Sequence, residues 1–268
     1  MRLFGKCPDH KKTMGKFDGK VVIVTGSSSG MGAAIALAFA KEGASLMLHG
    51  RNEKGVQTTI DSIHKSKKAA NAQVDFVLGP LESEKTLKEL VKKTVDRFKR
   101  IDVLVNAAGV ASKPDVPFDS MENFKFVMDV NCRAPTQMSL LCVPHLQKTK
   151  GQIINISSIA STIPATIMPF YSMAKAALEM FTKNYAIILA PKGIRVNCLV
   201  PGVVRTGFQE VMLGGKDVEK MIQGMDAAIP VGRVGTPQDM ADAILYIANA
   251  PFMTGTCLLL DGGFTLKH

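Results

Sequence analysis

Tryptophan is absent from this chain and tyrosine occurs three times, so aromatic residues make up only 6% of 268 residues. A surface that binds nucleic acid needs aromatics for stacking or one concentrated basic face. Here the formal charge of +10 is spread over helix-like segments such as HKSKKA and LVKKTVDRFKR. It reads as solvated helix faces, helped by an anionic cofactor, and nucleic acid is not an expected partner. The five cysteines, at 7, 132, 142, 198 and 257, form no CxxC pair. A disulfide framework is not expected, nor is a metal site. Reduced thiols packed in apolar surroundings place the chain in the cytoplasm or another reducing intracellular compartment.

No apolar run reaches the roughly 20 residues that span a bilayer, because each is broken by Gly, Pro or charge. The opening MRLFGKCPDHKKTMGKF lacks the apolar core of a secretory signal and the Ser/Arg pattern of a transit peptide. Met14 begins MGKFDGKVVIVTG, which looks like a domain start, so residues 1–13 read as a basic tail or an alternative-start extension. The expected division is a tail over 1–18 and one domain over 19–268. Internal repeats, low-complexity segments and linkers are missing from 20–263.

What the chain does have is hydrophobic residues, at 46%, arranged in short β-branched runs that alternate with segments of helical period. VVIVT (21–25) and SLMLHG (45–50) read as strands, with further strands near 74, 101, 152, 195 and 256. Helical segments fall at about 30–43, 53–68, 82–99, 119–148, 170–190 and 236–248. The strands are apolar throughout, as strands buried on both faces must be. The fold class is therefore α/β, a doubly wound Rossmann fold with about seven parallel strands and helices on both faces. Residues 203–230 are the least regular and lie beyond a strand's C-terminal end, which suggests a substrate lid.

The first strand runs into TGSSSGMGAA at the start of a helix. A tight turn, close backbone approach to a pyrophosphate and close helix–strand packing each call for glycine, and the helix N-terminus offers N–H groups to the anion. Gly26, Ser27, Ser29, Gly30, Met31 and Gly32 are thus candidate contacts for a dinucleotide. Where an NAD site would carry an acid for the ribose 2′-hydroxyl, this chain has Gly50, Arg51 and Asn52. A guanidinium suits a 2′-phosphate, which favours NADP(H) over NAD(H). In a competing reading Arg51 is merely solvated and Glu53 serves as the acid, although Asn52 and Glu53 also look like a helix cap and first turn.

In YSMAK, Tyr171 and Lys175 lie four residues apart, on one helix face. A cation beside a phenol lowers its pKa and makes it a general acid or base for a carbonyl or an alcohol. The same pentapeptide also reads as an amphipathic helix start with a snorkelling lysine. Ser158, at the end of the preceding strand, could hold the substrate oxygen beside the tyrosine. All three groups fall at the C-terminal edge of the sheet, where open α/β folds bind ligands.

These motifs in this order resemble the short-chain dehydrogenase/reductase family from about Gly19 to Gly263. The resemblance covers the TGxxxGxG turn (Thr25 to Gly32), NAAG at 106–109 and Asn131 in VNCRAP. It also covers Ser158 thirteen residues before Tyr171, PG at 201 and 202 followed by Thr206, and the closing TGTCLLLDGG. It implies that Tyr171 transfers a proton, that Lys175 binds the nicotinamide ribose and lowers the tyrosine pKa, that Ser158 orients the carbonyl and that Asn131 holds a proton-relay water. By the same resemblance Asn106, Ala107, Gly109, Pro201 and Gly202 bind the cofactor, and Val204 and Thr206 approach its carboxamide. LGPLES departs from the pattern: Pro80 and Leu81 stand where the family commonly has an Asp facing the adenine. NAAG replaces NNAG, and IANAPFMTG is shorter than usual.

The expected function is hydride transfer between NADP(H) and a carbonyl or secondary alcohol, on an apolar small-molecule substrate lined in part by Met168, Met212 and Met225. The alternative is a non-catalytic dinucleotide-binding redox sensor or assembly partner. Helices 119–148 and 170–190 are apolar over more than one face, which suggests a homotetramer or homodimer.

Overall fold

The computed structural model describes residues 15–212 and 217–267, and the side chains of 210–212 are not among its described parts. The expectations for residues 1–13 and for Met212 as a pocket-lining residue lie outside it. Phe17, placed at sequence level in the tail, is buried, with its ring edge-on to Phe39 at 4.8 Å between centroids.

Seven strands form one parallel sheet: β1 (Val21–Val24), β2 (Ser45–Gly50), β3 (Val74–Leu78), β4 (Val103–Asn106), β5 (Gln152–Ile156), β6 (Arg195–Pro201) and β7 (Cys257–Leu260). They lie in the order β3-β2-β1-β4-β5-β6-β7. The register places Ile23 of β1 between Met47 of β2 and Leu104 of β4. Because side chains alternate along a strand, β1 feeds two cores. Val22 and Val24 pack with Ile35, Phe39, Val56 and Ile244 on one face. Ile23 packs with Leu87, Leu90, Met138 and Cys142 on the other. Both faces being covered explains why the strands read as continuous apolar runs rather than as alternating ones.

The helices are α1 (Gly30–Lys41), α2 (Glu53–Lys65), α3 (Glu84–Phe98), α4 (Met121–Met128), α5 (Ala134–Thr149), α6 (Pro169–Leu189), α7 (Gly207–Met212), α8 (Val218–Ala228) and α9 (Pro237–Asn249). Side chains cap the N-termini of α2 (Asn52), α3 (Ser83) and α4 (Ser120), and Thr236 with Asp239 forms a capping box on α9. At α1 there is no side-chain cap and no acid in the first turn. Its N–H groups face the point where the chain order reverses, between β1 and β4.

The sequence predicts one helix over 119–148, and the structure breaks it. Between α4 and α5 the chain makes a π turn over Asp129–Arg133, with the Ala134 N–H donating to Asp129 O five residues back. The cause is Asn131 at its centre: its side-chain Nδ2 donates to Val127 O, the carbonyl that an α-helix would give to the Asn131 backbone N–H. Such turns are rare in regular helices and concentrate at functional sites.

At the opposite, N-terminal edge of the sheet, the Asp102 carboxylate is 5% exposed. It accepts from Val21 N at 2.9 Å and from Arg100 Nε and Nη2 at 2.7 Å. Replacing it by alanine strands a buried N–H and two charge-assisted bonds. Asp102→Ala should lower unfolding free energy by roughly 2–3 kcal/mol in a urea titration, whereas Asp96→Ala, on the exposed face of α3, should stay within about 0.5 kcal/mol of the parent.

Candidate active site

A single cleft runs across the C-terminal edge of the sheet from Arg51 past the glycine-rich turn to Tyr171, Lys175 and Phe208. At two of its glycines the turn leaves no room for a side chain. Gly26 has φ +68°, and a methyl group there would come within 2.7 Å of Ala108 Cα. At Gly32 a methyl would come within 2.2 Å of Gly26 O. Gly26, Gly30 and Gly32 line the cleft without a Cβ, in front of the uncapped start of α1. This cradle fits the pyrophosphate of a dinucleotide, which needs N–H donors, positive dipole and no Cβ in the way.

The expected turn contacts divide. Ser29, Gly30, Met31 and Gly32 line the cleft together with Gly26. The Ser27 side chain does not: it is fully buried, accepting from His49 N at 3.0 Å, and the unforeseen Ser28 lines the cleft instead. At the far end, exposed Arg51 lines the wall while Asn52 is spent on capping α2, accepting from Gly55 N. Glu53 opens the first turn of α2 and is not part of the wall. Leu81 and Glu82 form the facing side, so the departure LGPLES offers apolar surface there. His49, also unforeseen, lies buried under this end. Its Nε2 donates to Gly79 O and its Nδ1 has no partner, and burial lowers its pKa and keeps the ring neutral.

Asn106 is buried, with Nδ2 donating to Asn155 Oδ1 at 2.8 Å. It ties β4 to β5 rather than facing the cleft, and Ala107 and Gly109 follow it into the wall. Pro201 closes β6. Gly202 packs on Asp261, where a methyl would come within 2.8 Å of its Cα. Val204 is buried and forms a bridge with Gly235, and Thr206 alone of these four reaches the cleft.

The candidate proton-transfer groups converge. Asn131 is fully buried, and its side chain clamps Val110, accepting from its N at 3.0 Å and donating to its O at 2.8 Å. A methyl group at Gly109 would lie 3.1 Å from Asn131 Oδ1 and 3.5 Å from Lys175 Nζ, so both polar atoms border the space that this glycine leaves open. Lys175 Nζ donates to Ile156 O at 2.7 Å and sits 5.4 Å from the centre of the Tyr171 ring. Ser158 ends the β5 extension, accepts from Ala160 N at 3.2 Å, and hydrogen-bonds with the tyrosine hydroxyl.

One expectation is corrected. Burial pushes the Tyr171 phenol up to about 12, opposed only by the Ser158 hydrogen bond. Burial also brings Lys175 down to about 8. The lysine does not depress the phenol in this geometry because its ammonium is turned to the Ile156 carbonyl and lies over the ring instead of at the hydroxyl.

An open parallel sheet with a glycine-rich turn at its switch point defines the Rossmann class of dinucleotide-binding folds. Comparison with known proteins narrows the class. A family model described as enoyl-(acyl carrier protein) reductase matches residues 26–265. An uncharacterized oxidoreductase of Thermotoga maritima is 35% identical over 93% of this chain and 98% of its own. L-fucose dehydrogenase of Mus musculus is 34% identical over 94% of this chain and 91% of its own. The crystal structure of a short-chain dehydrogenase/reductase of unknown function from Caenorhabditis elegans, with cofactor, superposes with a TM-score of 0.87 at 34% identity, over 94% of this chain and 97% of that one. The chain belongs to the short-chain dehydrogenase/reductase family and is an oxidoreductase of that type, a family that uses a nicotinamide cofactor.

The burial of Lys175 has a thermodynamic signature. With the folded-state pKa near 8 and the ordinary value at 10.5, the unfolded chain binds the extra proton between those pH values. Stability therefore rises with pH across that window, by roughly 3 kcal/mol. Lys175→Met should flatten this rise in denaturant titrations at pH 8 and pH 10, the other groups cancelling between the two proteins.

Proposed function

We propose that the protein is an NADP(H)-dependent carbonyl reductase or alcohol dehydrogenase in which Tyr171 gives and takes the proton. The observation that carries this reading is that Tyr171 and Lys175 line the same cleft as the glycine turn, with Ser158 bonded to the tyrosine and Asn131 Oδ1 beside Lys175 Nζ at the open space of Gly109. When bound, the dinucleotide supplies or accepts the hydride. The chain's own residues do the rest.

Gly26, Gly30 and Gly32 let the backbone meet the pyrophosphate, and Arg51 pairs with the 2′-phosphate while Leu81 takes the adenine face. Thr206 holds the carboxamide. Ser158 holds the carbonyl oxygen beside the Tyr171 hydroxyl, which donates its proton as the oxygen becomes an alkoxide. A phenol raised by burial is fully protonated at neutral pH, and an alkoxide is the stronger base, so the transfer runs downhill. The reverse direction needs phenolate, so alcohol oxidation should increase with pH through and beyond pH 9. Phe208, Val110 and Ala111 border the cleft and favour an apolar group on the substrate, unlike the sugar named for the mouse relative. Exposed Leu140, Met173, Met180, Ile187 and Ile188 on α5 and α6 support self-association as a homodimer or homotetramer.

Following the reduced-nicotinamide absorbance with a panel of ketones, aldehydes and secondary alcohols tests the reaction. Tyr171→Phe should reduce turnover by about 10²–10⁴-fold, and a variant within tenfold of the parent would refute the mechanism. Arg51→Ala should weaken NADPH binding by about tenfold or more while leaving NADH binding nearly unchanged. Equal effects on the two would refute the assignment of the 2′-phosphate to Arg51.

A further inference from the structure

The segment that follows β6 contains a buried glutamine that the proton-transfer chemistry does not use. Gln209, on α7, is 6% exposed and does not line the cleft. Its side-chain amide is spent on the turn immediately before it. Nε2 donates to Val204 O at 2.7 Å, and Oε1 accepts from Thr206 N at 3.1 Å and from Thr206 Oγ1 at 3.3 Å.

The orientation of that amide is fixed by chemistry. A backbone carbonyl can only accept and a backbone N–H can only donate, so the oxygen must face Thr206 and the nitrogen must face Val204. The Thr206 hydroxyl therefore gives its only proton to Gln209. It also accepts from Phe208 N at 3.3 Å. One lone pair remains, and Thr206 borders the cleft, with its methyl toward the glycine turn, 3.3 Å from where a Cβ on Gly30 would lie.

We propose that Gln209 is a positioning residue that commits the Thr206 hydroxyl to act as a hydrogen-bond acceptor, so that the cleft selects a primary amide N–H donor on the pyridine ring of the cofactor. The inference rests on the nicotinamide reading of the cleft and adds a polarity to it. A hydroxyl free to rotate would serve a donor or an acceptor equally well. Held by Gln209, it discriminates against a ring substituent that lacks an N–H. The same clamp joins α7, which carries Phe208 against the Tyr171 ring at 5.6 Å, to the residue that touches the ring substituent.

The test is equilibrium binding, by calorimetry, of NADPH and of its 3-acetylpyridine analogue, in which a methyl replaces the amide nitrogen. One neutral hydrogen bond corresponds to about 3–10-fold in affinity. The parent protein should prefer the amide form by about that factor. Gln209→Leu should bring the two forms within about twofold at unchanged secondary structure. Gln209→Glu, which keeps an acceptor for Thr206, should retain the preference. If Gln209→Leu does not fold, Thr206→Val provides the same reading by removing the hydroxyl, and it should lose the preference too. Equal binding of both forms by the parent, or a preference that survives in Gln209→Leu or in Thr206→Val, would overturn the inference while leaving the nicotinamide reading standing. Failure of the parent to bind either form would overturn both.

Discussion

The desolvated ammonium of Lys175 is the constraint around which the cleft is organised. Nearly all of its surface is buried, its direct hydrogen-bond partner is the neutral carbonyl of Ile156, and the nearest carboxylate on its helix, Glu179, is engaged by the Ser157 hydroxyl. A buried cation without a carboxylate on it is costly and persists only where the surrounding structure holds it. Here that structure is the end of β5, the helix face that carries Tyr171, and the empty Cβ position of Gly109. The Asn131 clamp then fixes the chain at Val110, so the same side chain that bends α4 into α5 also frames the space beside the lysine.

The second organising feature lies at the other end of the cleft and works by omission. Helices α2, α3, α4 and α9 close their first turn with a side chain, whereas α1 presents uncapped N–H groups beside two glycines that could not carry a methyl. An anion completes such a helix end as a capping side chain would. In the proposed reading the backbone dipole and Arg51 would meet the anionic part of the cofactor, while the other end of the cleft holds the buried Tyr171 and Lys175.

Much of this was legible in the sequence, for identifiable reasons. Two-sided burial writes itself as unbroken apolar runs in the central strands, the half-buried edge strands β3 and β7 are legible from their β-branched and leucine content, and the order of the motifs puts the glycine turn and the Tyr–Lys pair on one sheet edge. A spacing of four on a helix guarantees a shared face, but it does not say which atom the lysine will meet. Burial therefore reversed the expected direction of the tyrosine shift. The π turn was invisible because periodicity alone cannot show that Asn131 would take a carbonyl from the ladder. The exchange of Ser28 for Ser27 had the same kind of origin: Gly26 at φ +68° turns the chain so that the next hydroxyl faces His49, and the one after it faces the cleft.

The start of the segment 203–230, residues 203–209, reads as irregular because its order is carried by backbone bonds and one side-chain amide, whereas α8 packs through Val218, Met221, Ile222 and Met225. Val204 joins Gly235 by a bridge, Gly235 N returns a bond to Val203 O, and Gln209 binds the turn from the other side. These bonds anchor the start of the segment to the sheet edge and leave α7 and α8 as short helices beyond it. A change in the position of α7 would move Phe208 against Tyr171 and Thr206 against the glycine turn together. The Tyr171 end and the glycine-turn end of the cleft are therefore tied together at this point, through the three hydrogen bonds of one glutamine.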